Sequence, residues 1–263
     1  MESPGEFVFA GSAMIDRCAG VLIPLFSLRS IHDLGRGDIG GLAPMADFAL
    51  AMGHRLLQLL PINEVAPGET SPYSALSVFA IDPIYVSASD LPGLDETAPP
   101  FHTATIDQIA LRTAKAAMLD RSWGAFNKRP ALRDEFDRFA ESNRGWLDDY
   151  ALFRALKDDL GQGAWESWPE PLRDRDPAVL AAATRRLADR IERFKYFQFV
   201  AHRQWTRTRV RLRDRGVMIG GDLAFSPCRE SAEVWAHPEM FDPSRSVGAP
   251  PDDFSADGQR WGL

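Results

Sequence analysis

Asp222 stands directly after the short apolar run Val217 to Gly221 (VMIGG), where a parallel strand would hand over to a loop, and a carboxylate at such a strand end usually faces a site. Beyond it come Ser226, Arg229, Glu230, Glu233, Trp235, His237, Asp252, Asp253, Phe254, Gln259 and Trp261, in a stretch broken repeatedly by proline. Flat rings beside amides and carboxylates suit a sugar, whose faces are apolar and whose edges are hydroxyls. The same composition also reads as a polar loop with buried tryptophans. Metal chemistry is not indicated. His32, His54, His102, His202 and His237 are widely separated, and Cys18 and Cys228 have no paired spacing with each other or with histidine.

These groups need elements to hold them. Gly20 to Phe26 is a near-continuous apolar run broken by Pro24, which fits a strand buried on both faces. Pro44 to Met52 has helical spacing with Gly53 as a stop signal, and Arg55 to Leu60 returns to strand character. Residues 20 to 60 therefore read as a strand, helix, strand unit with a right-handed crossover, the opening of a parallel, helix-covered sheet. Between Pro61 and about Gly216 the signals are helical: Ile106 to Ser122, Ala131 to Glu141, a helix ending at Gly161, and two helices within Pro177 to Arg215. Trp146, Tyr150, Phe153 and Lys157 share one helical face, and that spacing assigns the aromatics to packing rather than to a sugar platform.

The 263 residues carry a net charge of -7 and are 45% hydrophobic, enough to bury a substantial core in one large or two modest domains. Basic residues read as scattered among acidic ones, which argues against a nucleic acid partner. The first twenty residues lack a basic leader and an apolar core of signal length, and no segment is long enough to span a bilayer, so no membrane contact and a cytoplasmic location are the default expectation.

Three blocks carry a resemblance. They are AGVLIPLFSLRS with DLGRGDIGGL (Ala19 to Ser30, Asp33 to Leu42), RLLQLLPINEVAPGETSPYSALSVFAIDPIYV (Arg55 to Val86), and GGDLAF, SAEVWAHPEMF and GAPPDDFSADGQRWG after Val217. In this order they resemble the first strand and its glycine-rich turn, the second strand with its Ser-Pro-Tyr loop, and the third strand with the active-site lid of the 4-alpha-glucanotransferases, also called amylomaltases or disproportionating enzymes. The match covers residues 19 to 86 and 146 to 263, and residues 87 to 145 match weakly.

The resemblance implies an α/β fold, the N-terminal portion of a (β/α)8 TIM barrel comprising about its first three strands, with a large, mainly helical insertion between strands 2 and 3. A complete barrel takes ~250 residues before large insertions, so five further units do not fit. The implied division is an N-terminal extension (1–19), the first part of the barrel (20–86), the helical insertion (87–215), and barrel strand 3 with the lid (216–263). Its substrates would be 1,4-alpha-glucans such as maltotriose and longer maltooligosaccharides. Transfer with retention needs two carboxyl groups about 5 to 5.5 Å apart and no cofactor. In the resembled family the nucleophilic aspartate, the acid/base glutamate and a stabilising aspartate all lie C-terminal to the Gly-Gln-x-Trp-Gly motif, which here would place them beyond Leu263. The chain is therefore expected to be inactive alone. The alternative is a non-catalytic glucan-binding remnant, or the N-terminal half of a split enzyme whose partner is a C-terminal fragment.

Substrate contacts carry over to Ser71, Tyr73, Asp222, Phe254, Gln259 and Trp261. Tyr73 matches a tyrosine beside the sugar at the cleavage point and also reads as a loop anchor; Asp222 matches a pocket aspartate and also reads as a helix cap. Ala224 and Asp253 depart from the family's usual proline and aromatic, which bears on lid stacking and chain-length preference. Glu64, Glu69, Asp222, Asp252 and Asp253, on loops from strand ends, are not expected to form a substitute catalytic pair, because loop acids are usually solvated.

Overall fold

A computed structural model describes residues 17–30, 33–66, 68–69, 71–94, 107–224, 227–242 and 244–262. Most of the N-terminal extension, together with His32, His102, Ile106, Ser226 and Leu263, lies outside the described residues.

Three short strands form a parallel sheet in the order β1 (Gly20–Leu22), β2 (Leu56–Gln58), β3 (Met218–Gly220). Leu57 pairs with Val21 on one side and Ile219 on the other. Helix α1 (Leu42–Ala51) connects β1 to β2 and ends before Gly53, whose φ of 79° is the left-handed turn that glycine tolerates. The opening strand, helix, strand unit is thus present, but β1 is shorter and less covered than its apolar run suggests. Gly20 is exposed, Val21 is half-buried, and Leu22 remains 65% exposed. Among the described residues only the central strand, β2, has a ladder on both edges, and its Leu57 is fully buried.

Between β2 and β3 the chain is helical: α2 (Gln108–Phe126), α3 (Pro130–Ser142), α4 (Arg144–Asp159), α5 (Glu170–Arg173), α6 (Pro177–Arg186) and α7 (Ala188–Asp214). Their starts follow the side chains. Asp107 accepts from the Ile109 and Ala110 amides, Asp176 accepts from those of Ala178 and Val179, and Pro130 and Pro177 sit in first turns where no amide partner is lost. The long α7 packs against α4, α3, α2 and α1, and reaches β3 at its end. At its centre Tyr196 and Phe199 meet Phe126 and Phe136 with ring centroids 4.7 to 6.3 Å apart, in tilted and edge-on arrangements that aromatic quadrupoles favour. On α4, Tyr150, Phe153 and Lys157 are buried, which accords with packing for that aromatic face.

One reading is corrected. Basic residues are not evenly scattered, because Arg207, Arg209, Arg211, Arg213 and Arg215 gather on the exposed C-terminal end of α7, where positive charge complements the helix dipole. Among the described residues, no helix is long and apolar enough to cross a membrane.

After β3 come α8 (Ala232–Ala236), capped by Ser231, and a two-stranded antiparallel hairpin of β4 (Val247–Ala249) and β5 (Gln259–Gly262).

Candidate functional site

The loop leaving β2 folds back on itself before it reaches Tyr73. Isolated bridges between Asn63 and Ile81 and between Val65 and Ala75 close its base, and the Asn63 amide donates to the Ser77 and Val78 carbonyls at 3.2 and 2.8 Å. At the tip, Ser71 accepts from the Tyr73 amide at 3.3 Å and donates its own amide to the Glu69 carboxylate at 2.8 Å. Tyr73 is 46% exposed and its hydroxyl donates to Asp222 at 2.8 Å. Accepting that bond, the Asp222 carboxylate favours the neutral phenol and pushes the Tyr73 pKa up. Asp222 does not cap α8; Ser231 does, accepting from the Val234 amide.

Two loops that leave adjacent parallel strands are therefore bridged by a phenol and a carboxylate. Below Asp222, the Gln58 side chain donates to the Gly221 carbonyl at 2.9 Å, which fixes the end of β3 against β2. A phenol edge and a carboxylate facing solvent can bind hydroxyls.

Phe254, Gln259 and Trp261 stand on the hairpin. The Trp261 indole donates to the Gln259 side chain at 2.9 Å, while Phe254 is 96% exposed on a turn that Asp252 organises by accepting from the Phe254 and Ser255 amides. Tyr73 and Asp222 thus form one pair and Gln259 and Trp261 a second, with Ser71 shaping the turn that presents Tyr73. The hairpin depends on close backbone approach: a Cβ on Gly248 would lie 1.9 Å from the Gln259 carbonyl oxygen. Gly248→Ala should loosen the hairpin by about 1–3 kcal/mol, seen as faster hydrogen exchange at β4 and β5 with the aromatic core unchanged. Unaltered exchange there would contradict this.

The stretch after β3 also separates into roles. Trp235 is fully buried, Glu230 pairs with the buried Lys157, and Glu233 accepts from the Ser77 hydroxyl at 2.6 Å and the Val78 amide at 3.3 Å. These residues belong to the support of the loop. Burial pushes the Glu233 carboxyl up despite those donors.

Glu64 overturns the expectation of a solvated loop acid, since it is only 4% exposed. Tyr150 of α4 donates its hydroxyl to Glu64, Arg154 of α4 lies 3.2 Å away, and Gln198 of α7 donates to the Tyr150 oxygen at 3.1 Å. Burial drives the Glu64 pKa up, against the pull of Arg154. Gln198 also grips the Ile81 backbone on both sides, at 2.9 Å each way, and Gln204 does the same at Ser87 at 2.8 and 2.9 Å. Two glutamines six residues apart within an apolar helix face are the signal that sequence reasoning passed over. Cys18 and Cys228 are free thiols, and among the described residues no group of His, Cys, Asp and Glu is placed to hold a metal ion.

A family model described as 4-alpha-glucanotransferase matches residues 23–263. The chain is 34% identical to a 4-alpha-glucanotransferase of a Synechocystis species, over 95% of this chain and 52% of the relative. It is 36% identical to the Thermus thermophilus 4-alpha-glucanotransferase, over 82% of this chain and 45% of that protein. Among solved structures, an amylomaltase from Streptococcus agalactiae in complex with acarbose superposes with a TM-score of 0.85 at 27% identity, covering 94% of this chain and 52% of that one. The chain spans about half the length of the curated relatives it matches.

Proposed function

The chain belongs to the 4-alpha-glucanotransferase family, and on that premise we propose that it is the glucan-binding N-terminal part of an amylomaltase-type enzyme that moves 1,4-alpha-glucan segments between maltooligosaccharides. The observation that carries the reading is the Tyr73 to Asp222 hydrogen bond, which joins the loop after β2 to the end of β3. In this reading the two side chains face one glucose unit of the glucan, and Phe254, Gln259 and Trp261 close over it from the hairpin. The β1 to β3 sheet is the first part of a barrel, and α2 to α7 are an insertion in it. The nucleophile and the acid/base come from strands after the third. Residues 1–263 alone are then inactive, and the reaction needs no cofactor.

The test is a pair of assays. Residues 1–263 alone are expected to give no products from maltotriose. The same residues continued into a C-terminal part taken from a full-length relative are expected to give a ladder of shorter and longer glucans. Tyr73→Ala in that longer protein should cut kcat/KM by about tenfold, a loss of about 1.4 kcal/mol of transition-state binding. An active longer protein in which Tyr73→Ala changes nothing would remove Tyr73 from the site.

A second reading, the half of a split enzyme, draws on the open sheet. Among the described residues β1 and β3 are the edge strands, and Leu22 and Met218 expose apolar side chains there. The partner would be a separate C-terminal fragment of the same enzyme. Mixing the two should then restore the ladder without a covalent join.

A further inference from the structure

The loop with Ser71 and Tyr73 at its tip is pinned at its base by buried polar groups from three helices. From α8, the Ala232 amide donates to the Leu76 carbonyl at 2.8 Å, and Glu233 holds Ser77 and Val78. From α7, Gln198 takes both backbone groups of Ile81. From α4, Tyr150 and Arg154 hold the Glu64 side chain, while the Glu64 backbone accepts from Leu76 at 2.7 Å and donates to Ala80 at 3.1 Å. Glu64 joins these layers, with its backbone in the loop base and its carboxylate in the helical layer. Its tie to Arg154 is an ion pair at 3.2 Å to a guanidinium whose Nε and Nη1 are buried with no hydrogen-bond partner and which also lies over the Phe194 ring. Removing the Glu64 charge leaves that guanidinium buried without its ion-pair partner.

We infer that Glu64 is a positioning residue for the glucan site: through Tyr150, Arg154 and Gln198 it fixes the loop base so that the Tyr73 hydroxyl meets Asp222. The helices between β2 and β3 thus set the geometry of the sugar contact and do not merely decorate the sheet. The inference rests on the reading of Tyr73 and Asp222 as sugar contacts, but its central claim concerns their mutual position and is tested with no sugar present.

The experiment is an NMR titration of the 13C-labelled tyrosines in residues 1–263, with the Tyr73 signal assigned by Tyr73→Phe. Asp222→Ala gives the reference for a lost contact, a Tyr73 midpoint shifted down from the wild type. In Glu64→Gln, which keeps the side-chain shape and removes the charge that holds Arg154, the Tyr73 midpoint should move down toward that reference. A folded Glu64→Gln protein whose Tyr73 titrates as in the wild type would overturn the inference. Should Glu64→Gln fail to fold, Tyr150→Phe decides: it keeps the ring and the ion pair, and a downward shift of Tyr73 is expected, whereas no shift overturns the proposal. Failure to bind maltotriose would weigh on the functional reading and leave this result standing.

Discussion

Trp235→Ala is expected to be among the most destabilising single substitutions in this chain, costing about 3–5 kcal/mol and lowering the melting temperature by roughly 10 °C at about 2–4 °C per kcal/mol for a chain of this size. The ring is fully buried against Phe153 and Trp168, with centroids at 5.8 and 5.6 Å, and its indole donates to the Leu172 carbonyl at 3.1 Å. The Arg175 guanidinium sits 4.3 Å from the ring centroid, on a residue whose φ of 60° is held in the left-handed region. Alanine would leave a cavity, take one of its donors from the Leu172 carbonyl and remove the surface on which Arg175 is stacked. The five-residue helix α8 has little stability of its own, so its docking leans on Trp235, its largest buried side chain. Glu233 and Ala232 should lose their grip on residues 76–78, and hydrogen exchange there should accelerate along with the fall in melting temperature. Trp235→Phe should recover part of the loss, because it refills most of the cavity without restoring the indole donor. A Trp235→Ala protein that melts within a degree or two of the wild type would contradict this assignment.

How much of this could be read beforehand divides along the distance over which the signals act. Helix positions follow from local spacing and caps, as Asp107, Pro130 and Asp176 show, and the strand centred on Leu57 follows from a local apolar run. The burial of that run does not follow, because whether Leu22 is covered depends on which elements pack on the sheet. Asp222 is marked by its place after an apolar run and Tyr73 by resemblance alone, and no periodicity pairs two residues 149 apart. Glu64 was misread because a lone glutamate in a loop carries no local mark of burial. Its partners Tyr150 and Arg154 lie on a helix whose own pattern speaks only of packing, and a buried acid becomes recognisable once its donors are known.

The Asp38 and Lys115 pair gives the second large effect, and the variants should differ in the sign of their pH dependence. Both residues are almost fully buried; the Lys115 ammonium lies 3.4 Å from Asp38 and donates to the Val86 carbonyl at 2.5 Å, tying α2 to the glycine-rich turn before α1. Burial pushes the Asp38 pKa up and the Lys115 pKa down, and each partner opposes the other's shift. Removing one partner leaves an uncompensated buried charge, at a cost of about 3–5 kcal/mol. In Lys115→Met, the Asp38 pKa in the folded state rises further above its unfolded value. The folded chain then binds more protons over that interval, and stability should fall as pH rises upward from the ordinary carboxylate range. In Asp38→Asn, which keeps the acceptor for the Gly40 amide, the folded-state pKa of Lys115 drops further below the ordinary lysine value. Now the unfolded chain binds more protons, so stability should rise with pH through the interval beneath that value. The double variant Asp38→Asn with Lys115→Met removes both charges. It should be more stable than either single variant and lack the opposite pH slopes that each shows relative to the wild type, which denaturant titrations across the pH range would show as a large coupling in a double-mutant cycle. Additive losses, or two single variants whose stabilities move the same way with pH, would mean that the pair is reached by solvent and the turn before α1 is held by its backbone alone.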